Sequence, residues 1–277
     1  MISRRGLLLG SAGVVGAGAL GLQVPQVHRR VFGVPTAPHS VPSGPVGAVV
    51  NGSFRSAAMS ATTGFTIVYP DAVTPLPLLL HLHGRGGSHR DVEHLAPFLS
   101  DGVRRGLRAF AVVGVDGGDH SYYHRRASGQ DPQRMLLEEL LPLLAQRGLR
   151  TDRFAVGGIS MGGYGALLLT ETLGPSRVVA CVPDSPAIFL RVQDSAGGAF
   201  DGSADFAAHD VLAGSSRLAG VPLRVTCGTS DPFLPGVRDL LRRVPTALRE
   251  LGPGAHNRAW WDHAAPGQLA FVGRHLA

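Results

Sequence analysis

Short, mostly apolar runs alternate along this chain with longer amphipathic ones. Pro75–Leu82 (P-L-P-L-L-L-H-L) and Phe154–Val156 are apolar runs, and Arg108–Asp116, Arg177–Pro183 and Pro222–Gly228 are largely hydrophobic stretches of strand length. Such runs read as strands covered on both faces. Between them, Asp91–Leu99, Asp131–Gln146, the segment opening at Tyr164, Gly236–Leu251 and Ala264–His275 read as helices. Ser88 or Asp91 can cap the first, and Pro132 and Gly148 bracket the second. Gly52–Ser56 and Gly64–Pro70 come earlier and predict a hairpin at one edge. The alternation predicts an α/β domain whose mostly parallel sheet carries helices on both faces. Residues from about Asp184 to Leu218 lack periodicity and are expected to form an insertion over the site, a lid or substrate wall.

Length and composition narrow the picture. A chain of 277 residues that is 44% hydrophobic can bury one large core. The net charge of +6 comes from Arg alone, since no Lys occurs. No Arg run exceeds two and no aromatic residues interleave with the basic ones, so nucleic acid is not an expected partner. Residues 1–22 carry Ser3-Arg4-Arg5 before Leu7-Leu8-Leu9 and a Gly/Ala-rich stretch. This resembles a twin-arginine export signal, with Ala17-Gly18-Ala19 as a candidate cleavage site; it is short and weakly apolar for a membrane span, so cleavage or loose tethering is expected over an anchor. Residues 23–46 form a Pro-rich linker, and the domain proper is expected over 47–277. Cys181 and Cys227 fall on strands expected to be neighbours, where two free buried thiols are the expected state.

The chemistry concentrates where Phe154–Val156 runs into Gly157-Gly158-Ile159-Ser160-Met161-Gly162-Gly163. Gly158, Ser160 and Gly162 fill G-x-S-x-G. A strand turning directly into a helix holds the serine in a strained conformation, and a side chain two residues to either side would strike the adjoining chain. The turn pushes the Ser160 hydroxyl out at the carboxyl end of the sheet. It also turns the N–H of Met161, at the helix start, toward a developing oxyanion.

Other strand ends supply the partners. His83-Gly84-Arg85-Gly86-Gly87 follows a central strand, and its backbone can complete the oxyanion hole through the N–H of Arg85, with Gly86 as the alternative. The rival reading, metal binding by His81-x-His83, lacks third and fourth ligands at metal-like spacing. The loop Asp116–Arg126, with Tyr122 and Tyr123, is a candidate pocket wall. Ser160, Asp231 and His256 occur in the Ser…Asp…His order of α/β-hydrolases, with the acid and the base each on a loop after a strand. Asp184 is a second candidate acid and His263 a second candidate base.

Together H-G-R-G-G, D-G-G-D-H-S-Y-Y, E-E-L-L-P, G-I-S-M-G-G-Y-G, C-G-T-S-D and G-A-H-N-R-A-W-W resemble the esterase group of α/β-hydrolases that includes esterase D and the mycolyltransferases. The resemblance spans roughly Gly47 to Ala277 and is strongest at the serine turn. It implies the α/β-hydrolase fold with about eight strands. It places the catalytic histidine five residues before a tryptophan, which Trp261 satisfies for His256, and the acid after the penultimate strand, which Asp231 satisfies. Gly86, Tyr122, Tyr123 and Trp261 are the expected substrate contacts. The implied activity is hydrolysis of a small-molecule or lipid carboxylic ester, with neither cofactor nor metal. Two alternatives are acyl transfer to a cell-envelope alcohol and a non-catalytic binding protein on a hydrolase scaffold. The expected location is periplasm, envelope or exterior, after transient contact with the export machinery.

Overall fold

The computed structural model of the chain describes residues 39–70 and 75–276. All of them belong to one compact unit, Pro35–Ala277. The expected export signal lies outside the described residues. Among the described residues, no helix is long and apolar enough to cross a membrane.

Eight strands form one sheet: β1 (Val49–Ser56), β2 (Ala61–Val68), β3 (Leu76–Leu82), β4 (Ala111–Val115), β5 (Leu149–Ile159), β6 (Val178–Asp184), β7 (Arg224–Gly228) and β8 (Leu248–Gly252). Their order is β1-β2-β4-β3-β5-β6-β7-β8. The β1–β2 hairpin is antiparallel at one edge, and β2 also meets β4 antiparallel. From β4 to β8 every pairing is parallel, so those strands deliver their carboxyl ends to one rim. This is the eight-stranded α/β sheet expected from the chain.

Alternation along the buried strands feeds two cores. Leu78, Leu80 and Leu82 of β3 join Val113, Val156 and Cys181 on one face, with the helices Met161–Leu173 and Leu234–Arg243 packed over them. Leu79, Val112, Ala155 and Val182 point the other way, toward helices Ala96–Arg104 and Arg258–His275. Pro77 sits in β3 between two partner strands, and the β3–β5 register shifts directly after it. A proline that cannot donate to the ladder is accommodated there by an irregularity. Cys181 and Cys227 are buried and free.

Several helix boundaries differ from the sequence reading. The expected helix Gly236–Leu251 is Leu234–Arg243, and Leu248–Gly252 becomes β8, paired with β7. Pro245 explains the break, because it cannot donate a helical hydrogen bond and it disfavours helical backbone at Val244. The helix expected at Asp91–Leu99 opens as a 3-10 turn, His89–Leu95, capped by Ser88, and becomes α-helical only over Ala96–Arg104. The segment Asp131–Gln146 is helical throughout but passes through a π-helical stretch, Met135–Leu140, just before Pro142. The wider turn absorbs a proline that would otherwise clash with the preceding turn. The last helix starts at Arg258, six residues earlier than expected, with Asn257 accepting the N–H of Trp260 as its cap.

Candidate active site

Ser160 has φ +57° and ψ −117°, a backbone state that a non-glycine residue holds only under strain. It joins the end of β5 to the helix Met161–Leu173. Its own N–H donates to the Asp184 carbonyl at 3.0 Å, and its carbonyl accepts from Tyr164 and Ala187, so the strained turn is fixed on three sides. A Cβ on Gly158 would lie 2.6 Å from the backbone of Gly162 and from the Leu82 carbonyl. One on Gly162 would overlap the Leu82 backbone and lie 2.7 Å from the His83 carbonyl. Both glycines are therefore required by close backbone approach, as the motif predicts.

The loop after β3 lies against this turn, with Ser160 Cβ 3.6 Å from where a Cβ on Gly84 would stand. Within that loop the N–H of Gly86 is taken by the Asp119 carbonyl at 2.9 Å, whereas that of Arg85 has no recorded partner among the described residues. Of the two expected donors, Arg85 is thus the one left available. Met161 is the first residue of its helix and has no preceding turn to receive its N–H.

His83 and Tyr123 hold the loop from beneath. His83 is buried; its Nδ1 lies 2.7 Å from the Gly84 carbonyl and its Nε2 accepts the N–H of Gly117 at 3.0 Å. The backbone N–H of His83 donates to the Tyr123 hydroxyl at 3.1 Å. His81 packs against His94 instead, and burial pushes its pKa down to about 3. The two histidines of the H-x-H pair do not converge on one point.

Asp231 and His256 meet across 25 residues of sequence, with His256 Nδ1 2.8 Å from Asp231 Oδ2. The Asp231 side chain is fully buried, and its Oδ1 accepts the N–H of Phe233 at 2.9 Å. The imidazole is partly open to solvent, between the rings of Phe233 (5.1 Å) and Trp261 (5.5 Å). Trp261, five residues after His256, and Ile159, directly before Ser160, line one cavity of about 10 Å³. Neither Ser160 nor His256 lines that cavity.

The rival acid and base are occupied elsewhere. Asp184 Oδ1 accepts from the Thr226 hydroxyl at 2.7 Å and from Trp260 Nε1 at 3.0 Å, and Gln268 donates in turn to that hydroxyl. Burial raises the Asp184 pKa to about 8, which disfavours the charged form that would stabilise an imidazolium. His263 lies inside the last helix with Nε2 3.1 Å from Glu250.

One expectation is corrected. Tyr122 and Tyr123 are only 2% and 0% exposed, so their rings form part of the core and not an open pocket wall. Tyr122 packs among Tyr164, Phe189 and Phe200, while Tyr123 supports the His83 backbone. Both have positive φ, 48° and 57°. Gly86 is exposed and Trp261 is partly exposed beside His256. Burial of a loop aromatic is set by tertiary packing, and no local sequence signal announces it.

A model of the family described as "Putative esterase" matches residues 56–234, well over half of the chain. The chain belongs to that family. The matched span includes the oxyanion-side loop, the serine turn and Asp231 and stops short of His256. Solved structures share the fold. A ferulic acid esterase superposes with a TM-score of 0.73 at 18% identity, covering 84% of this chain and 100% of the other. FphF, a fluorophosphonate-binding serine hydrolase of Staphylococcus aureus, gives 0.69 at 22% identity over 83% and 99%. An S-formylglutathione hydrolase from Agrobacterium tumefaciens gives 0.69 at 16% identity over 88% and 100%. No curated protein matches the chain. Family membership makes the protein a carboxylesterase-type hydrolase.

Proposed function

We propose that the protein is an exported serine hydrolase that cleaves a small-molecule or lipid carboxylic ester through an acyl-enzyme on Ser160. His256 acts as base, Asp231 as the acid that orients it, and the N–H groups of Met161 and Arg85 receive the oxyanion. The observation that carries this reading is the pairing of a strained serine turn with a buried carboxylate–imidazole hydrogen bond of 2.8 Å on the same rim of the sheet.

The chemistry follows from those positions. With its Nδ1–H held by Asp231, the imidazole has its lone pair on Nε2 and can take the Ser160 proton as the oxygen attacks the ester carbonyl. The carbonyl oxygen becomes anionic, and the backbone donors of Met161 and Arg85 stabilise it and lower that barrier. The imidazolium returns the proton to the leaving alcohol, and a water molecule repeats the sequence to release the acid. Phe233 and Trp261 flank the imidazole and shield it on two sides.

Export rests on the Ser3-Arg4-Arg5 segment and is tested by signal-dependent recovery of the protein outside the cytoplasm. The reaction is tested with a p-nitrophenyl ester of a short acid, run with and without an added alcohol. Release of acid at the same rate in both supports hydrolysis. Accumulation of a transesterified product in place of acid would replace hydrolysis by acyl transfer, and no turnover at all would leave a binding scaffold.

A further inference from the structure

We propose that His124, Asp205 and His209 form a binding site for a zinc-class divalent cation that clips the insertion after β6 to the loop after β4. The three side chains come from two separate stretches of chain. Asp205 lies on the helix Ser203–Ala208 and His209 ends it one turn later, so the two share a face. His124 arrives from the loop that follows β4. One ligand atom from each residue can be chosen so that all three fall within 4.8 Å of one another.

Distances within the cluster fall in the range of ligand-to-ligand separations around one metal, although His209 Nδ1 also lies 2.9 Å from the Asp205 carbonyl. Asp205 Oδ1 is 2.9 Å from His209 Nδ1 and 3.6 Å from His124 Nδ1. The second distance is too long for a hydrogen bond. The pair brackets the edge of a tetrahedron with metal bonds of about 2.1 Å, which is roughly 3.4 Å. The two imidazoles are stacked with centroids 4.2 Å apart, and because their lone pairs lie in the ring planes, shared coordination requires one ring to turn about its Cβ–Cγ bond.

His124 itself supplies the independent observation. It is 1% exposed. A neutral imidazole has one proton, yet Nε2 faces the Ala199 carbonyl at 3.1 Å and Nδ1 faces the Arg125 carbonyl at 3.0 Å. If Nε2–H donates to Ala199, the Nδ1 lone pair is left opposing oxygen atoms of Arg125 and Asp205. A cation at that point converts the opposition into coordination.

Two imidazoles and one carboxylate fit zinc and its neighbours, whereas calcium and magnesium prefer all-oxygen sets. An adjoining cavity of about 290 Å³, lined by both histidines, leaves room for a water as a further ligand. The mechanical consequence is also legible. Arg126 already forks onto Asp201 at 2.8 and 3.1 Å and reaches the Gly198 carbonyl, tying the same two segments. A bound cation adds a second tie a few residues along.

The test uses full-length protein carrying no histidine tag, stripped with EDTA and titrated with zinc chloride by calorimetry, with Tm recorded beside it. The expected result is one high-affinity zinc per chain and a Tm several degrees higher. His209→Ala should weaken zinc binding at least tenfold and abolish the Tm gain, while His120→Ala, an exposed histidine outside the cluster, changes neither. His124→Gln, checked for folding by circular dichroism, should match His209→Ala. Absence of stoichiometric zinc in the wild type, or equal affinity in wild type and His209→Ala, overturns the proposal. Ester hydrolysis is not the readout, so the outcome is independent of the serine assignment.

Discussion

Asp231→Asn isolates the electrostatic part of the proposed mechanism from its architecture. The carboxylate accepts two hydrogen bonds, from Phe233 N–H to Oδ1 at 2.9 Å and from His256 Nδ1 to Oδ2 at 2.8 Å. Asparagine keeps the first, because its carbonyl oxygen can stay on Phe233. At the second it presents an amide N–H to Nδ1, which forces the proton onto Nε2 and removes the lone pair that Ser160 needs. It also removes the negative charge that stabilises the imidazolium. For charges about 4 Å apart at an effective dielectric near 20, that stabilisation is about 4 kcal/mol, or roughly three decades in rate. The wrong tautomer brings the expected loss to about 10³–10⁴ in kcat, with KM little changed. Because the buried hydrogen-bonding pattern survives, Tm should move by no more than a few degrees. The assay is steady-state hydrolysis of a p-nitrophenyl ester at neutral pH alongside a thermal melt. A kcat within tenfold of wild type, with the fold intact, would refute the role given to Asp231.

Three further outcomes follow from neighbouring contacts. Gly162→Ala should cut activity about 100-fold or more and cost about 1–3 kcal/mol, because its Cβ would meet backbone of Leu82 and His83 rather than a side chain that can move; Gly197→Ala, in open space, should do neither, as kinetics and melts will show. Tyr123→Phe leaves the buried N–H of His83 without its acceptor and should cost about 1–3 kcal/mol in a denaturant titration, with kcat reduced through the adjoining loop. For Asp184 the folded pKa of about 8 stands above the ordinary 3.8, so ionisation favours the unfolded chain and the wild type loses stability as pH rises from about 4 to about 8. Asp184→Asn keeps the acceptor for Thr226 and Trp260 and removes that loss: melts should coincide near pH 4 and separate in favour of the variant by pH 8.

What could be read from the residues alone divides along physical lines. The serine turn was legible because its constraint is steric and local: Gly158 and Gly162 have backbone where any other residue needs a Cβ. The strands were legible where they are buried on both faces and apolar, as in β3, β4 and the Phe154–Ile159 half of β5, whereas Arg150–Arg153 at the start of β5 are polar and largely exposed and gave no strand signal. Leu248–Gly252 was not, since L-R-E-L-G is half exposed at the sheet edge and only its pairing with β7 makes it a strand. Tyr122 and Tyr123 looked like a pocket wall because aromatic loops at strand ends commonly are. Their positive φ and inward packing are tertiary facts. The His124–Asp205–His209 cluster was invisible for a simpler reason: His124 lies 81 residues from Asp205, so no metal-like spacing appears in the sequence and none was expected.

The central claim is that Ser160 is the nucleophile, and covalent labelling addresses it most directly. Treating the protein with a fluorophosphonate and mapping the adduct by peptide mass spectrometry should give one modified residue, Ser160. Ser160→Ala should melt like the wild type while losing both the label and ester turnover by several orders of magnitude. An adduct mapped to another residue, or hydrolysis that persists in Ser160→Ala, would contradict the account.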